Sequence, residues 1–148
     1  MSPEEGGAMK AAAYQVVRGG YISADDVRQL FGAVGWTDEA SLDDQSLKTA
    51  FHESYFTISA RDDDGNLIGV IRASFDGMYL LLWNLVVDPK WQSTGIGSEL
   101  LRMALQEAHL RGHKWVVGLA LNEYVAYYGK RGLLPVDHLT VVTTYPNL

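Results

Sequence analysis

Between Val87 and Gly97 the chain reads Val-Asp-Pro-Lys-Trp-Gln-Ser-Thr-Gly-Ile-Gly, so an apolar stretch runs into a polar loop and then into a helical pattern. Gly95 and Gly97 stand where that helix opens. Glycine lets the backbone approach a ligand closely. The unpaired amides of a first helical turn, with the helix dipole behind them, favour an anion such as a diphosphate. The spacing is neither the Gly-x-x-x-x-Gly-Lys-Ser/Thr of a P-loop nor the Gly-x-Gly-x-x-Gly of a dinucleotide fold. On these two glycines alone, a softened strand-to-helix turn explains the segment as well as an anion site does.

Other residues with chemical potential carry less. The chain has no cysteine, which excludes a disulfide framework, a cysteine-rich zinc site and a cysteine nucleophile. His109 and His113 have a helical metal-ligand spacing, but Gly112 is expected to end the helix between them and no third ligand is evident, so no metal is expected. Asp62-Asp63-Asp64-Gly65 lacks the alternating ligands and distal Glu of a calcium loop and reads as a turn. His52 and His138 are isolated. Trp36 and Trp83 are candidates for an acceptor pocket, although core packing is the commoner use of tryptophan.

These residues need elements to position them. The length of 148 residues, with 47% hydrophobic and 20% charged, fits one globular domain, taken as residues 10–148 behind a flexible tail at 1–9. Ala12 to Arg18 reads as a first strand. Ser23 with Asp25 and Asp26 reads as the capped start of a helix ending near Gly35, and Ser41 as the cap of a second helix. Strands are expected at Tyr55–Arg61, Leu67–Phe75 and Tyr79–Val87, the last apolar enough to be covered on both faces. Ile96, Leu100, Leu101, Ala104, Leu105 and Ala108 give a long amphipathic helix. A buried strand over Trp115–Leu121, a short helix over Glu123–Lys130 and a last strand over His138–Tyr145 follow. The order β-α-α-β-β-β-α-β-α-β is that of an α/β sandwich with a mixed sheet.

Charge narrows the partners. The net charge of -6 disfavours nucleic acid. Six basic and four acidic residues lie between Asp88 and Arg131, a net of +2 inside an acidic chain that suits a small anion as well as a merely solvated surface. The apolar run Leu80–Val87 is far below the roughly 20 residues of a membrane span. The start MSPEEGGAMK lacks the basic and apolar regions of a secretion signal, so a cytoplasmic location is expected.

Two segments carry a family resemblance. Val87–Gly97, with Gln92, Gly95 and Gly97, resembles the acetyl-coenzyme A signature of the GNAT superfamily of N-acetyltransferases. Asn122–Leu133, Asn-Glu-Tyr-Val-Ala-Tyr-Tyr-Gly-Lys-Arg-Gly-Leu, resembles that family's later motif, with Leu133 in place of the usual Phe. Val34-Gly35-Trp36 and Asn66–Arg72 are similar to one branch of it. The resemblance implies the GNAT sandwich, a mixed and mostly antiparallel central sheet with helices on both faces, whose central strands splay after Val87.

It also implies roles. The amides of Gln92, Ser93, Thr94, Gly95, Ile96 and Gly97 would cradle the coenzyme A diphosphate. The Leu85, Val86 and Val87 backbone would receive the peptide-like pantetheine arm, and Asn122 would touch the cofactor. Tyr128 matches the tyrosine that protonates the leaving thiolate. The implied reaction is acetyl transfer from acetyl-coenzyme A to a primary amine, on a small molecule or a peptide, by direct attack in a ternary complex. The strand Leu80–Leu85 departs from many relatives in carrying no carboxylate or histidine as a general base. Asn84 cannot serve, and Glu53 and Asp76 read better as surface carboxylates. That departure keeps alive a second reading, an acyl-coenzyme A sensor without turnover. Between Gly19 and Asp76 stand four basic and eleven acidic residues, a net of -7 that would draw a cationic acceptor. A homodimer is common among relatives, and nothing in the residues decides it.

Overall fold

The computed structural model describes residues 13–145. The expected tail at 1–9, and the start of the first strand at Ala12, lie outside them. Among the described residues, five strands form one sheet in chain order: β1 (Tyr14–Arg18), β2 (Phe56–Asp62), β3 (Leu67–Phe75), β4 (Leu80–Val87) and β5 (Val116–Gly118). The first four pair antiparallel with one another, and β5 runs parallel to β4. Helix α4 (Ile96–Leu110) covers one face. The other is covered by α1 (Ala24–Ala33), a four-residue α2 (Thr37–Ala40) and α3 (Asp44–His52). The fold is the α/β sandwich with a mixed sheet that the residue pattern indicates.

Local chemistry explains most boundaries. Ser23 caps α1 in a reciprocal box: its hydroxyl accepts from the Asp26 amide, and the Asp26 carboxylate accepts from the Ser23 amide. The turn Asp62–Asn66 is closed by Asp62 Oδ1, which accepts from the Asp64 and Asn66 amides. At Gly69 the sheet and α4 come so close that a Cβ would stand 3.0 Å from both Ile96 Cγ2 and Leu100 Cδ1. A methyl there would require those two side chains to give by a few tenths of an ångström.

Four expectations need correction. Ser41 does not cap the second helix: it ends α2, its hydroxyl donating to Asp38 O, and Asp43 caps α3 by accepting from the Ser46 amide. Both residues are good caps, and the extra turn at Thr37 uses up the first. The strand at Trp115–Leu121 shrinks to Val116–Gly118, with Trp115 49% and Val117 40% exposed, because among the described residues β5 has a neighbour on one side only. His138–Tyr145 forms no strand: Val142 is 88% exposed and the segment is held by a local Thr143–Tyr145 turn and by Tyr145 Oη donating to the Asp38 carboxylate. Its Thr and Val favour a strand, but β-propensity is realised only where an edge receives it.

The fourth concerns the splay. β4 and β5 pair only from Leu80–Leu82 to Val116–Gly118, so they part well before Val87. A bulge accompanies the parting. Arg72 faces Trp83 and Val70 faces Val86, which leaves one residue of β3 opposite two of β4, and Asn84 takes a left-handed φ of 55°.

Candidate active site

Where β4 and β5 diverge, a cleft of about 600 Å³ opens between the end of β4, the start of α4 and α5 (Val125–Gly129). Leu85, Val86 and Val87 form one wall, with the edge of β4 facing β5 left without a strand partner. Gln92, Ser93, Gly95, Gly97 and Ser98 form the second. Tyr124, Tyr127 and Tyr128 form the third, and Val34, Trp36, Trp91 and Leu121 complete the lining.

The loop between β4 and α4 is stiff. Asp88 accepts from the Lys90 amide, Gln92 Nε2 donates to Val87 O, and Trp91 packs edge-on to Tyr14 with ring centres 6.1 Å apart. Ser93 and Gly95 both have left-handed backbones, at φ 68° and 93°. Gly95 is the N-cap of α4 and offers no side chain. The first intrahelical bond is Glu99 N to Gly95 O, so the amides of Ile96, Gly97 and Ser98 are uncapped at the positive end of the helix dipole, and Gly97 and Ser98 line the cleft. A Cβ on Gly97 would lie 3.2 Å from Tyr127 Oη and 3.5 Å from Val87 Cγ2, so the bare backbone keeps this corner open.

Across from it, Tyr127 Oη lies 3.3 Å from Ser98 Oγ. Arg131 locks the pair: it donates to Ser98 Oγ at 2.8 Å and to Tyr127 O at 2.8 Å, with its guanidinium carbon 3.7 Å from the Tyr127 ring centre. Arg131 forms no ion pair among the described residues, so its charge stays available beside the helix start. Tyr128 crosses Tyr127 edge-to-face at 5.5 Å, and its hydroxyl has no hydrogen-bond partner among the described residues. Burial, and then the neighbouring Tyr127, push its phenol above the usual tyrosine value. It therefore stays a protonated donor across the neutral range.

Of the residues singled out in the sequence, Leu85, Val86, Val87, Gln92, Ser93, Gly95, Gly97 and Tyr128 come together on this cleft. Three stand apart. Ile96 turns its side chain into the core, Thr94 Oγ1 donates back to Trp91 O, and Asn122 opens a short 3-10 turn outside the lining. Sequence reasoning missed Trp91, Ser98, Leu121, Tyr124, Tyr127 and Arg131; the one available signal was a Lys130-Arg131 pair within the basic stretch. Trp36 lines the cleft, whereas Trp83 donates to Ser74 Oγ outside its lining. Glu53 lies outside it too, and Asp76 is occupied in a turn, accepting from the Met78 and Tyr79 amides. His113 bonds Tyr55 Oη, and His52 stacks on Tyr21. Among the described residues no three His, Cys, Asp or Glu cluster as metal ligands, and no helix is long and apolar enough to cross a membrane.

Comparison with known proteins places the fold. The sequence model described as "Acetyltransferase (GNAT) family" matches residues 23–133, three-quarters of the chain. The chain belongs to the GNAT family. The uncharacterized N-acetyltransferase ycf52 of Pyropia yezoensis is 26% identical over 117 residues, covering 76% of the chain and 66% of the relative. The chain spans about half to two thirds of the length of the curated relatives it matches. The GNAT-family protein SP0256 of Streptococcus pneumoniae superposes with a TM-score of 0.73 at 24% identity, covering 92% of this chain and all of that one. A GNAT-family acetyltransferase from Brucella melitensis, solved in complex with acetyl-CoA, gives 0.60 at 20% identity, covering 80% and 83%. These structural likenesses establish the GNAT fold.

Proposed function

We propose that this chain moves the acetyl group of acetyl-coenzyme A onto a primary amine, by direct attack in a ternary complex. The observation that carries the reading is one cleft holding both an uncapped helix start and an unpartnered, protonated phenol, Tyr128. The residues suit the cofactor. The uncapped amides of Ile96–Ser98 with Arg131 beside them match a diphosphate, and the free edge of β4 at Leu85–Val87 matches the amide-bearing pantetheine arm. Gly97 supplies room that a side chain would fill. When bound, the cofactor supplies an activated thioester.

The chain's own residues do the rest. The Leu85–Val87 amides orient the acyl end and offer a hydrogen bond to a polarised carbonyl. Tyr128 Oη holds the proton that the departing sulfur takes. The lining contains no carboxylate or histidine, so the acceptor ammonium gives up its proton to water at the cleft mouth. The test is thiol release from acetyl-coenzyme A across a panel of primary amines, with cofactor binding followed in parallel by calorimetry. Amine-dependent release supports the transferase. Tight binding with no release from any amine points to the sensor reading instead.

A further inference from the structure

Seven arginines lie among the described residues, and Arg18, Arg28, Arg61, Arg102 and Arg111 each hold a carboxylate. Arg131 and Arg72 do not. Arg131 serves the phosphate end of the cleft. Arg72 stands on β3 and is half-buried, with its guanidinium carbon 5.5 Å from the Phe51 ring centre. Its Nε donates to Asn84 Oδ1 at 2.7 Å and its Nη1 to Ala50 O at 3.3 Å, while Nη2 has no partner among the described residues. Burial draws its pKa down, the mark of a cation held out of water without a counter-charge.

Its place is informative. Asn84 is the left-handed residue of the bulge where β4 leaves β5, and the next residue, Leu85, lines the cleft. Arg72 lies behind the cleft lining, against a buried aromatic layer: Phe51 packs on Phe31 at 6.2 Å, and Phe31 on Trp36, a lining residue, at 5.2 Å. An unpaired guanidinium therefore sits beside the strand break, on the sheet face opposite α4, within a sequence region of net charge -7.

We propose that Arg72 anchors a carboxylate of the acceptor, so that the acceptor class is amines that also carry a carboxylate, such as free amino acids. This rests on the transferase reading above. A guanidinium fork with open N–H groups is the group best matched to a carboxylate, and a partly buried one binds it more strongly than an exposed one. The net charge of -7 over residues 19–76 draws the ammonium end of such a zwitterion and disfavours a bare anion. Two-point attraction of this kind fixes which end of the acceptor faces the thioester.

The test compares α-amino acids with the matched amines that lack the carboxylate, by thiol release at fixed acetyl-coenzyme A. The expected KM is at least tenfold lower for the amino acid. In Arg72→Gln the preference collapses toward unity, chiefly through the KM of the amino acid, while the acetyl-coenzyme A affinity holds. If Arg72→Gln does not fold, Arg72→Lys keeps a charge without the fork and should lose most of the preference. Equal KM values in the unmodified protein overturn the anchor and leave the transferase standing. An Arg72 variant that lowers kcat for both acceptors alike, with the preference intact, also overturns it, because Arg72 then only props the Asn84 bulge. No release from either acceptor, with the cofactor still bound, overturns the transferase reading and the anchor with it.

Discussion

Tyr127 and Ser98 meet across the mouth of the cleft, 3.3 Å apart, and tie α5 to the start of α4. Their contact divides the labour between two adjacent tyrosines. Tyr127 Oη is spent on the helix start, and Tyr128 Oη is left free in the cleft.

Tyr128→Phe is therefore expected to lower kcat by about ten- to a thousandfold, within reach of the general-acid range. Cofactor affinity should hardly change, since only a transition-state interaction is lost. The phenol sits above its usual value, so the donor stays loaded through neutral pH. Loss of activity from its deprotonation should appear only above the usual tyrosine range. Steady-state kinetics with calorimetry checks both statements; full activity in the variant would return the proton donation to water.

Tyr127→Phe would be a neutral control if neighbouring helix positions merely pointed apart. The Ser98 contact changes that expectation. Removing one hydrogen bond worth about 0.5–1.5 kcal/mol should raise the acetyl-coenzyme A Kd by about two- to tenfold, with kcat unchanged. Titration calorimetry of the two phenylalanine variants side by side separates the roles.

Arg131→Gln removes the cation stacked on Tyr127 and the donor to Ser98. The acetyl-coenzyme A Kd should rise about tenfold or more, as expected for a charge-assisted contact. The salt dependence of binding should flatten in the variant, because a phosphate-facing charge is gone. A salt series on wild type and variant reads this directly; parallel slopes would remove Arg131 from the phosphate end.

The layered fold was legible because its signals are local and periodic. Ser23 with Asp26 spells the α1 cap, Asp62–Asn66 the hairpin turn, and the Ile96–Ala108 spacing one buried helix face. The uncapped start of α4 was legible too, since Gly95 and Gly97 stand where the helix opens. What the sequence hid depends on pairing between distant residues. Whether Trp115–Leu121 is a buried strand is decided by a second neighbour, and none of the described strands provides one. Ser98, Tyr127 and Arg131 become one unit only when α5 folds back on α4, across 33 residues of chain. The unpaired state of Arg72 is likewise a property of the assembled sheet.

Asp26 accepts from the Ser23 amide and pairs with Arg61 at 3.0 Å. Burial pushes its carboxyl up, but Arg61 and Ser23 outweigh this and hold it below the usual aspartate value. A carboxylate with a depressed folded pKa stabilises the protein above its unfolded pKa and loses that effect as pH falls through the folded one. Asp26→Asn should cost about 1 kcal/mol near neutrality, the typical worth of a cap contact. The gap between variant and wild type should shrink below about pH 4, where the unfolded carboxyl begins to protonate. Urea melts at several pH values test the trend; a gap that does not shrink in acid would place the loss in packing.

Gly69→Ala and Gly95→Ala should both destabilise, by different routes and with different effects on binding. At Gly69 the added carbon would press on Ile96 Cγ2 and Leu100 Cδ1, each at 3.0 Å, in a core where both side chains are fully buried. Overpacking of this kind costs about 1–3 kcal/mol and is relieved by the two side chains giving a few tenths of an ångström or by a shift of α4. Because the start of α4 is one wall of the cleft, that shift should also raise the acetyl-coenzyme A Kd. At Gly95 no atom lies within 4 Å of the added carbon, so the cost is the left-handed backbone itself, about 1–2 kcal/mol. A variant that keeps its backbone there places only a methyl at the cleft mouth, and a larger residue such as Val reaches further into the space the cofactor needs. Thermal melts should therefore show both alanine variants destabilised. Calorimetry should show affinity falling further from Gly95→Ala to Gly95→Val. Equal affinity across the Gly95 series, in folded protein, would move the diphosphate away from this loop.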